Sequence, residues 1–131
     1  MLFLMGDIIE RPGPFGKRHR GVLVGYDECG RAWVIHNDMG GIVCWVLFET
    51  FAAGLPVALA SRKARNSYEQ HTIVSRAQSL LGWKYDLLSF NCDHLVTYAQ
   101  DGIATSPQLQ GFALAFALAL FLGLAVASTR A

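Results

Sequence analysis

Charge is scarce in this 131-residue chain: Asp, Glu, Lys and Arg make up 16% of it, where soluble domains average about 25%. Eleven basic and ten acidic residues leave a net charge of +1. No basic excess exists to release counterions from a polyanion, so nucleic acid is not an expected partner. Cysteine is limited to positions 29, 44 and 92, which excludes a disulfide-stapled secreted scaffold. The chain has neither a CxxC pair nor an HxxxH spacing, so a zinc site is not expected, and no motif implies a cofactor. Disorder is excluded by a hydrophobic content of 53% with little net charge. The length suits one compact domain and leaves no room for two.

The apolar excess is local. Residues 111–128 read GFALAFALALFLGLAVAS and carry no charge. As a helix they would extend about 27 Å, close to the ~30 Å hydrocarbon core of a bilayer. Phe112, Leu114, Phe116, Leu118, Leu120, Phe121, Leu122 and Leu124 would point all round such a helix. A buried or partner-docked helix would keep a polar face, so the run is read as a C-terminal transmembrane anchor. Only Thr129, Arg130 and Ala131 follow, and the folded part is expected on the cytoplasmic side. The apolar stretch 1–5 meets Gly6 and Asp7 at once, too early for a signal-peptide core. With the 18-residue run set aside, the remainder is roughly 48% hydrophobic, within the ordinary globular range of about 45 to 50%.

Before the tail, strands precede helices. A short strand is expected over 6–10, then a loop with Pro12, Gly13, Pro14 and Gly16. Residues 19–26 and 31–37 form a hairpin across the turn Asp27-Glu28-Cys29-Gly30. The continuous apolar run 42–48 fits a strand covered on both faces. A helical turn over 49–53 and a short run over 55–60 follow. Ile73, Val74, Ala77, Leu80 and Leu81 recur at helical spacing, which predicts a helix over 68–81, capped by Ser67 with Gln70 and closed by Gly82. A second helix begins near Asn91 or Cys92, buries Leu95, Val96 and Ala99, and ends before Gly102. Residues 105–110 link it to the tail.

The candidate chemistry centres on Cys92. At the first turn of a helix, unpaired amides and the macrodipole favour a thiolate, so its pKa is expected to fall. The bland alternative is a small buried hydrophobe, the common fate of a free cysteine. Cys29, in an exposed turn, and Cys44, in an apolar strand, lack that context. A nucleophilic thiol needs a base. A four-residue turn would place Tyr26 opposite Arg31 and His36 opposite Gly21, with His19 one same-face step away. The two histidines then become diagonal neighbours with backbones about 7 to 8 Å apart, so the imidazoles are within mutual reach. A one-residue slip would put them on opposite faces, and two unrelated polar strand residues remain the alternative. His71 is expected to be solvated and His94 to make a local hydrogen bond.

These residues carry a resemblance. Gly6-Asp7-Ile8-Ile9, the strand His19-Arg20-Gly21-Val22-Leu23-Val24-Gly25, then Val34-Ile35-His36, and finally Tyr85-Asp86-Leu87-Leu88-Ser89-Phe90-Asn91-Cys92-Asp93-His94-Leu95-Val96 resemble the lecithin:retinol acyltransferase family over about 6–102. The resemblance implies an α+β, permuted papain-like (NlpC-type) fold, an antiparallel sheet packed on helices, in which two histidines precede the cysteine. The family's Asn-Cys-Glu-His box has Asp93 in place of its Glu here.

The resemblance further implies a catalytic domain over 1–104, a link over 105–110 and an anchor over 111–128. In it Cys92 attacks an acyl ester, His19 serves as base and then acid, and His36 orients His19. The backbone amides that open the Cys92 helix would stabilise the oxyanion. The expected partners are a phospholipid membrane and an acyl-lipid substrate, with transfer of the acyl group to water, an amine or an alcohol. Two alternatives stand beside it: a permuted papain-like cysteine peptidase or isopeptidase of the deSUMOylase type, and a catalytically silent membrane module. Lys17, Arg18 and Arg20, and Arg62, Lys63 and Arg65, form two basic clusters that would either meet anionic headgroups or lie solvated.

Overall fold

A computed structural model describes residues 2–38, 40–86 and 90–129. Met1 of the apolar N-terminal stretch, Leu87, Leu88 and Ser89 of the motif, and Arg130 and Ala131 after the tail lie outside the described residues. The order of elements is β1 (Ile8–Pro12), a 3-10 turn (Pro14–Gly16), β2 (Arg18–Tyr26), β3 (Ala32–Asn37), β4 (Val43–Leu47), α1 (Phe48–Ala52), β5 (Ala58–Leu59), α2 (Ser67–Ser79), α3 (Cys92–Asp101) and α4 (Pro107–Thr129). The strands form one antiparallel sheet in the order β4-β3-β2-β1-β5. The fold is α+β, a sheet packed on helices and followed by a C-terminal apolar helix.

Alternation along the strands sorts the core into two faces. Ile8, Val22, Ile35 and Val43 meet Ile73, Ala77 and Leu80 of α2 and Leu95, Val96 and Ala99 of α3. Ile9, Leu23 and Val34 face the other way, onto Phe51 of α1. His19 and His36 share the parity of Leu23 and Val34, so both imidazoles stand on the Phe51 side.

The hairpin differs from expectation in two offsets that cancel. Tyr26 pairs with Ala32 rather than Arg31, so the turn holds five residues, and a bulge between Leu23 and Gly25 then takes one residue back. Gly21 therefore lies opposite His36, as the simpler register required. Asp27 holds the longer turn: its carboxylate accepts from the Cys29 and Arg31 amides at 3.0 and 2.9 Å.

Other boundaries moved for local reasons. β1 starts at Ile8 because Gly6 has a φ of +84°, and a Cβ there would meet Gln70 Cα at 3.1 Å. β4 is not covered on both faces. It is an edge strand, and Trp45 remains 46% exposed. The cap of α2 is Asn66, not Ser67: the Asn66 side chain accepts from the Glu69 amide at 2.9 Å. α3 starts at Cys92, with Asn91 accepting from the Asp93 and His94 amides.

The stretch expected as a link is partly helical. Ser106 accepts from the Leu109 amide, Pro107 opens α4, and the helix runs unbroken into the apolar segment. From Gln110 to Ser128 its side chains are exposed. This helix is long and apolar enough to cross a membrane.

Candidate active site

His19 Nε2 and His36 Nδ1 share a hydrogen bond of 2.8 Å, and the rings meet edge to face with centroids 5.1 Å apart. Phe51 holds both: His19 stacks on it at 5.4 Å and His36 meets its edge at 5.9 Å. Gly21 makes this packing possible, since a Cβ there would lie 3.0 Å from Phe51 Cε2. Arg11 reaches over the Phe51 ring and donates to its carbonyl.

Cys92 approaches from the other side of the sheet. The first turn of α3 meets the start of β2, where the thiol donates to the Arg18 carbonyl at 3.7 Å. His19 and Cys92 line one cavity of about 110 Å³ together with Arg11, Gly13, Pro14, Lys17, Arg18, Asp38 and Tyr85. The two histidines are thus bonded to each other, and Cys92 lines the same cavity as His19, which His36 does not line. A larger apolar groove of about 440 Å³, lined by Val24, Tyr26, Trp33 and Trp45, shares no lining residue with it.

The protonation states differ from expectation at the cysteine. Burial pushes the Cys92 thiol up, and the Asp93 charge adds to that rise, outweighing the Arg20 and Asp93 amides that favour the thiolate. The helix terminus does not produce a lowered pKa because the cost of burying the thiolate exceeds what these amides supply. Burial, the charge of His36 and Arg11 hold His19 at about 4, against an ordinary 6.5, and burial also lowers His36. At neutral pH the resting site therefore holds a neutral thiol beside a neutral imidazole. Cys44 lies opposite His36, its thiol also pushed up by burial.

His94 makes a local bond, accepting from the Asn91 amide at 3.0 Å, and exposed His71 bonds to the Ser67 carbonyl. Asp93 is fully buried and accepts from Arg20 Nη1, Ser106 Oγ and the Gln108 amide at 3.2, 3.0 and 3.2 Å. Gln108 Nε2 donates to Asp93 at 2.8 Å and to the Arg18 carbonyl at 3.2 Å, while Gln108 Oε1 accepts from the Arg18 amide at 3.0 Å. The first turn of α4 is thereby fastened to both the Cys92 helix and the His19 strand. Phe51, Gly21 and Gln108 were missed from sequence. Only the small residue opposite His36 gave a signal, because its lack of a side chain leaves room for something larger.

Residues 38–105, just over half of the chain, match the family model described as lecithin retinol acyltransferase. The chain belongs to this family. No curated protein matches it. The matched stretch includes the Asn91–His94 box and Cys92, while His19 and His36 precede it. Membership of the lecithin retinol acyltransferase family places the chain among acyltransferase and phospholipase-type enzymes. The family's permuted papain-like order, histidine strands before a cysteine helix, is the order of β2, β3 and α3.

The basic clusters behave differently. Arg62 and Arg65 pair with Glu69, and Lys63 with Asp7. Arg20 pairs with Glu10 and Asp93. Lys17 instead places Nζ 5.3 Å from the ring centroid of Phe112, at the start of the apolar run.

Proposed function

We propose that this protein is a membrane-anchored thiol acyltransferase or phospholipase A-type enzyme that forms an acyl thioester on Cys92 from a glycerophospholipid. The observation that carries the reading is the His19–His36 bond beside the cavity that His19 shares with Cys92. With Nε2 engaged by His36, His19 keeps Nδ1 for the thiol. For Nδ1 to accept, Nε2 must carry the proton and donate to His36 Nδ1, which fixes both tautomers.

Because thiol and imidazole both rest neutral, proton transfer accompanies attack instead of preceding it. Cys92 Sγ turns from the Arg18 carbonyl and bonds to the ester carbonyl carbon, and its proton passes to His19. The carbon–oxygen bond then breaks, and His19 returns the proton to the departing lysolipid oxygen. Water, an amine or an alcohol next attacks the thioester, giving a fatty acid, an N-acyl or an O-acyl product and the free thiol. The Cys92 amide, which the Asn91 cap leaves open, supports the oxyanion.

In this reading 1–104 is the catalytic domain, and 111–128 is the anchor that holds it beside its substrate and raises effective concentration. The first turn of α4 joins the two. The domain is assigned to the cytoplasmic side. Protease protection of the full chain in sealed microsomes tests that side: an undigested domain would refute it.

The activity test incubates the full chain with mixed phosphatidylcholine and phosphatidylethanolamine vesicles beside Cys92→Ala, with lysolipid, fatty acid and N-acyl lipid read by mass spectrometry. Products that vanish with Cys92→Ala support the reading. Their absence, with cleavage of an isopeptide substrate instead, would refute it in favour of a peptidase.

A further inference from the structure

The loop between β1 and β2 leaves its largest side chain almost wholly exposed. Phe15 is 92% exposed, the highest value among the large exposed hydrophobic residues. It occupies the centre of the 3-10 turn with φ 57° and ψ 32°, a left-handed conformation unusual for a bulky residue. The loop is closed on itself, since the Gly13 amide donates to the Lys17 carbonyl at 2.8 Å and the Lys17 amide to the Pro14 carbonyl at 3.1 Å. The ring is thus carried outward on a defined turn.

A single exposed phenylalanine means little by itself, but the surroundings of this one specify a partner. Its loop neighbours Gly13, Pro14 and Lys17 line the cavity of Cys92 and His19, so the ring projects from a loop that borders that cavity without lining it. Lys17 also lies over Phe112, the second residue of the apolar run, which puts the loop level with the point where α4 becomes wholly hydrophobic. Arg11 and Arg18 line the same cavity, Arg18 with Glu10 at 3.6 Å. An apolar tip, cations one step behind it and a hydrophobic helix alongside match the layered chemistry of a phospholipid surface, acyl chains beneath phosphates.

We propose that Phe15 is a second membrane contact: its ring enters the bilayer interface beside α4, Lys17 meets the phosphate layer, and the mouth of the Cys92 cavity is turned toward the lipid. The inference rests on α4 being the anchor, and adds what one helix leaves open. A spanning helix sets depth, whereas its tilt and rotation are set by interfacial side chains.

The test uses the full chain in vesicles of equimolar phosphatidylcholine and phosphatidylethanolamine, with photoreactive p-benzoylphenylalanine in place of Phe15 or, as control, of Tyr68, which is 81% exposed on α2. After irradiation, lipid adducts are counted by peptide mass spectrometry, and alkaline carbonate extraction reports whether the chain is embedded. The expected result is an embedded chain with at least about tenfold more adduct at position 15 than at 68. An embedded chain with equal adducts, or none at 15, overturns this inference and leaves the anchor standing; a chain released by carbonate overturns both. In parallel, Phe15→Ser should lower kcat/KM on vesicle lipid about tenfold and leave hydrolysis of a water-soluble short-chain ester unchanged. Equal losses on both substrates, or no loss on either, would refute the orienting role.

Discussion

Gly21 carries the closest packing around the paired histidines, and Gly21→Ala measures what that packing does. The penalty is one of space, since the backbone angles at Gly21 suit any residue. A Cβ there lies 2.7 Å from Val34 Cγ1, 3.0 Å from Phe51 Cε2 and 3.1 Å from the Ile35 carbonyl oxygen. Val34 and Phe51 are fully buried and the carbonyl belongs to a sheet ladder, so the neighbours must shift by several tenths of an ångström. Overpacking of this kind costs about 1–3 kcal/mol, or roughly 5–20 °C in Tm for a domain of this size. The shift of Phe51 also moves the ring on which His19 stacks. A displacement of 1 Å in a catalytic group costs about a hundredfold, so several tenths should lower kcat by about tenfold. Thermal unfolding by near-ultraviolet circular dichroism reads the first effect and lysolipid release the second. Val34→Ala removes the nearest clash, and the double variant should be less destabilised than the sum of the two singles. A Gly21→Ala protein with Tm within about 2 °C of the parent and an unaltered kcat would refute this account of the packing.

Four further outcomes follow from the same contacts. His36→Ala leaves buried His19 Nε2 without its partner, a loss of about 1–3 kcal/mol with kcat down about a hundredfold; His36→Asn, which restores a hydrogen-bonding side chain, should recover part of both in the same assays. His19 works as a base only when neutral, and its folded pKa is about 4, so kcat/KM should hold between pH 5 and 6 and fall through about pH 4 in a pH–rate profile. The same depression means that the unfolded chain takes up protons before the folded one, so stability should decline as pH falls from 6.5 toward 4, by of order 3 kcal/mol for His19, as urea midpoints across that window would show. Asp93→Ala removes the acceptor shared by Arg20, Ser106 and Gln108 and should cost about 3 kcal/mol in thermal unfolding, toward the low end for a broken buried pair because Arg20 keeps Glu10.

Much of this site was legible because its determinants are local. Asn91 next to Cys92 marks a helix start, and the His19–His36 pairing follows from strand parity once Gly21 faces His36. That register came out right through compensation, the five-residue turn offset by the bulge, and neither irregularity is written in the hydrophobic pattern. The features that stayed hidden depend on distant contacts. Phe51 lies fifteen residues beyond His36 in an undistinguished helical turn, and only folding places its ring under both imidazoles. The rise in the Cys92 pKa was invisible because the helix terminus argues for a thiolate, while burial and the Asp93 charge, which argue against one, appear only in the folded chain. The edge position of β4 was equally hidden, since an apolar run looks the same whether or not a helix reaches its outer face. The polar residues before the tail read as a link from composition, yet Ser106 and Gln108 bind Asp93, and Gln108 also donates to the Arg18 carbonyl, 90 residues earlier.

The central claim is that Cys92 carries the acyl group. Intact-protein mass spectrometry of the full chain, mixed with phosphatidylcholine vesicles and quenched in acid within seconds, tests it directly. The account predicts a mass increment of one fatty acyl chain, mapped to the Cys92 peptide, released by neutral hydroxylamine and missing from Cys92→Ala. Lipid turnover with no such adduct on the wild-type chain, or an adduct that persists in Cys92→Ala, would contradict it.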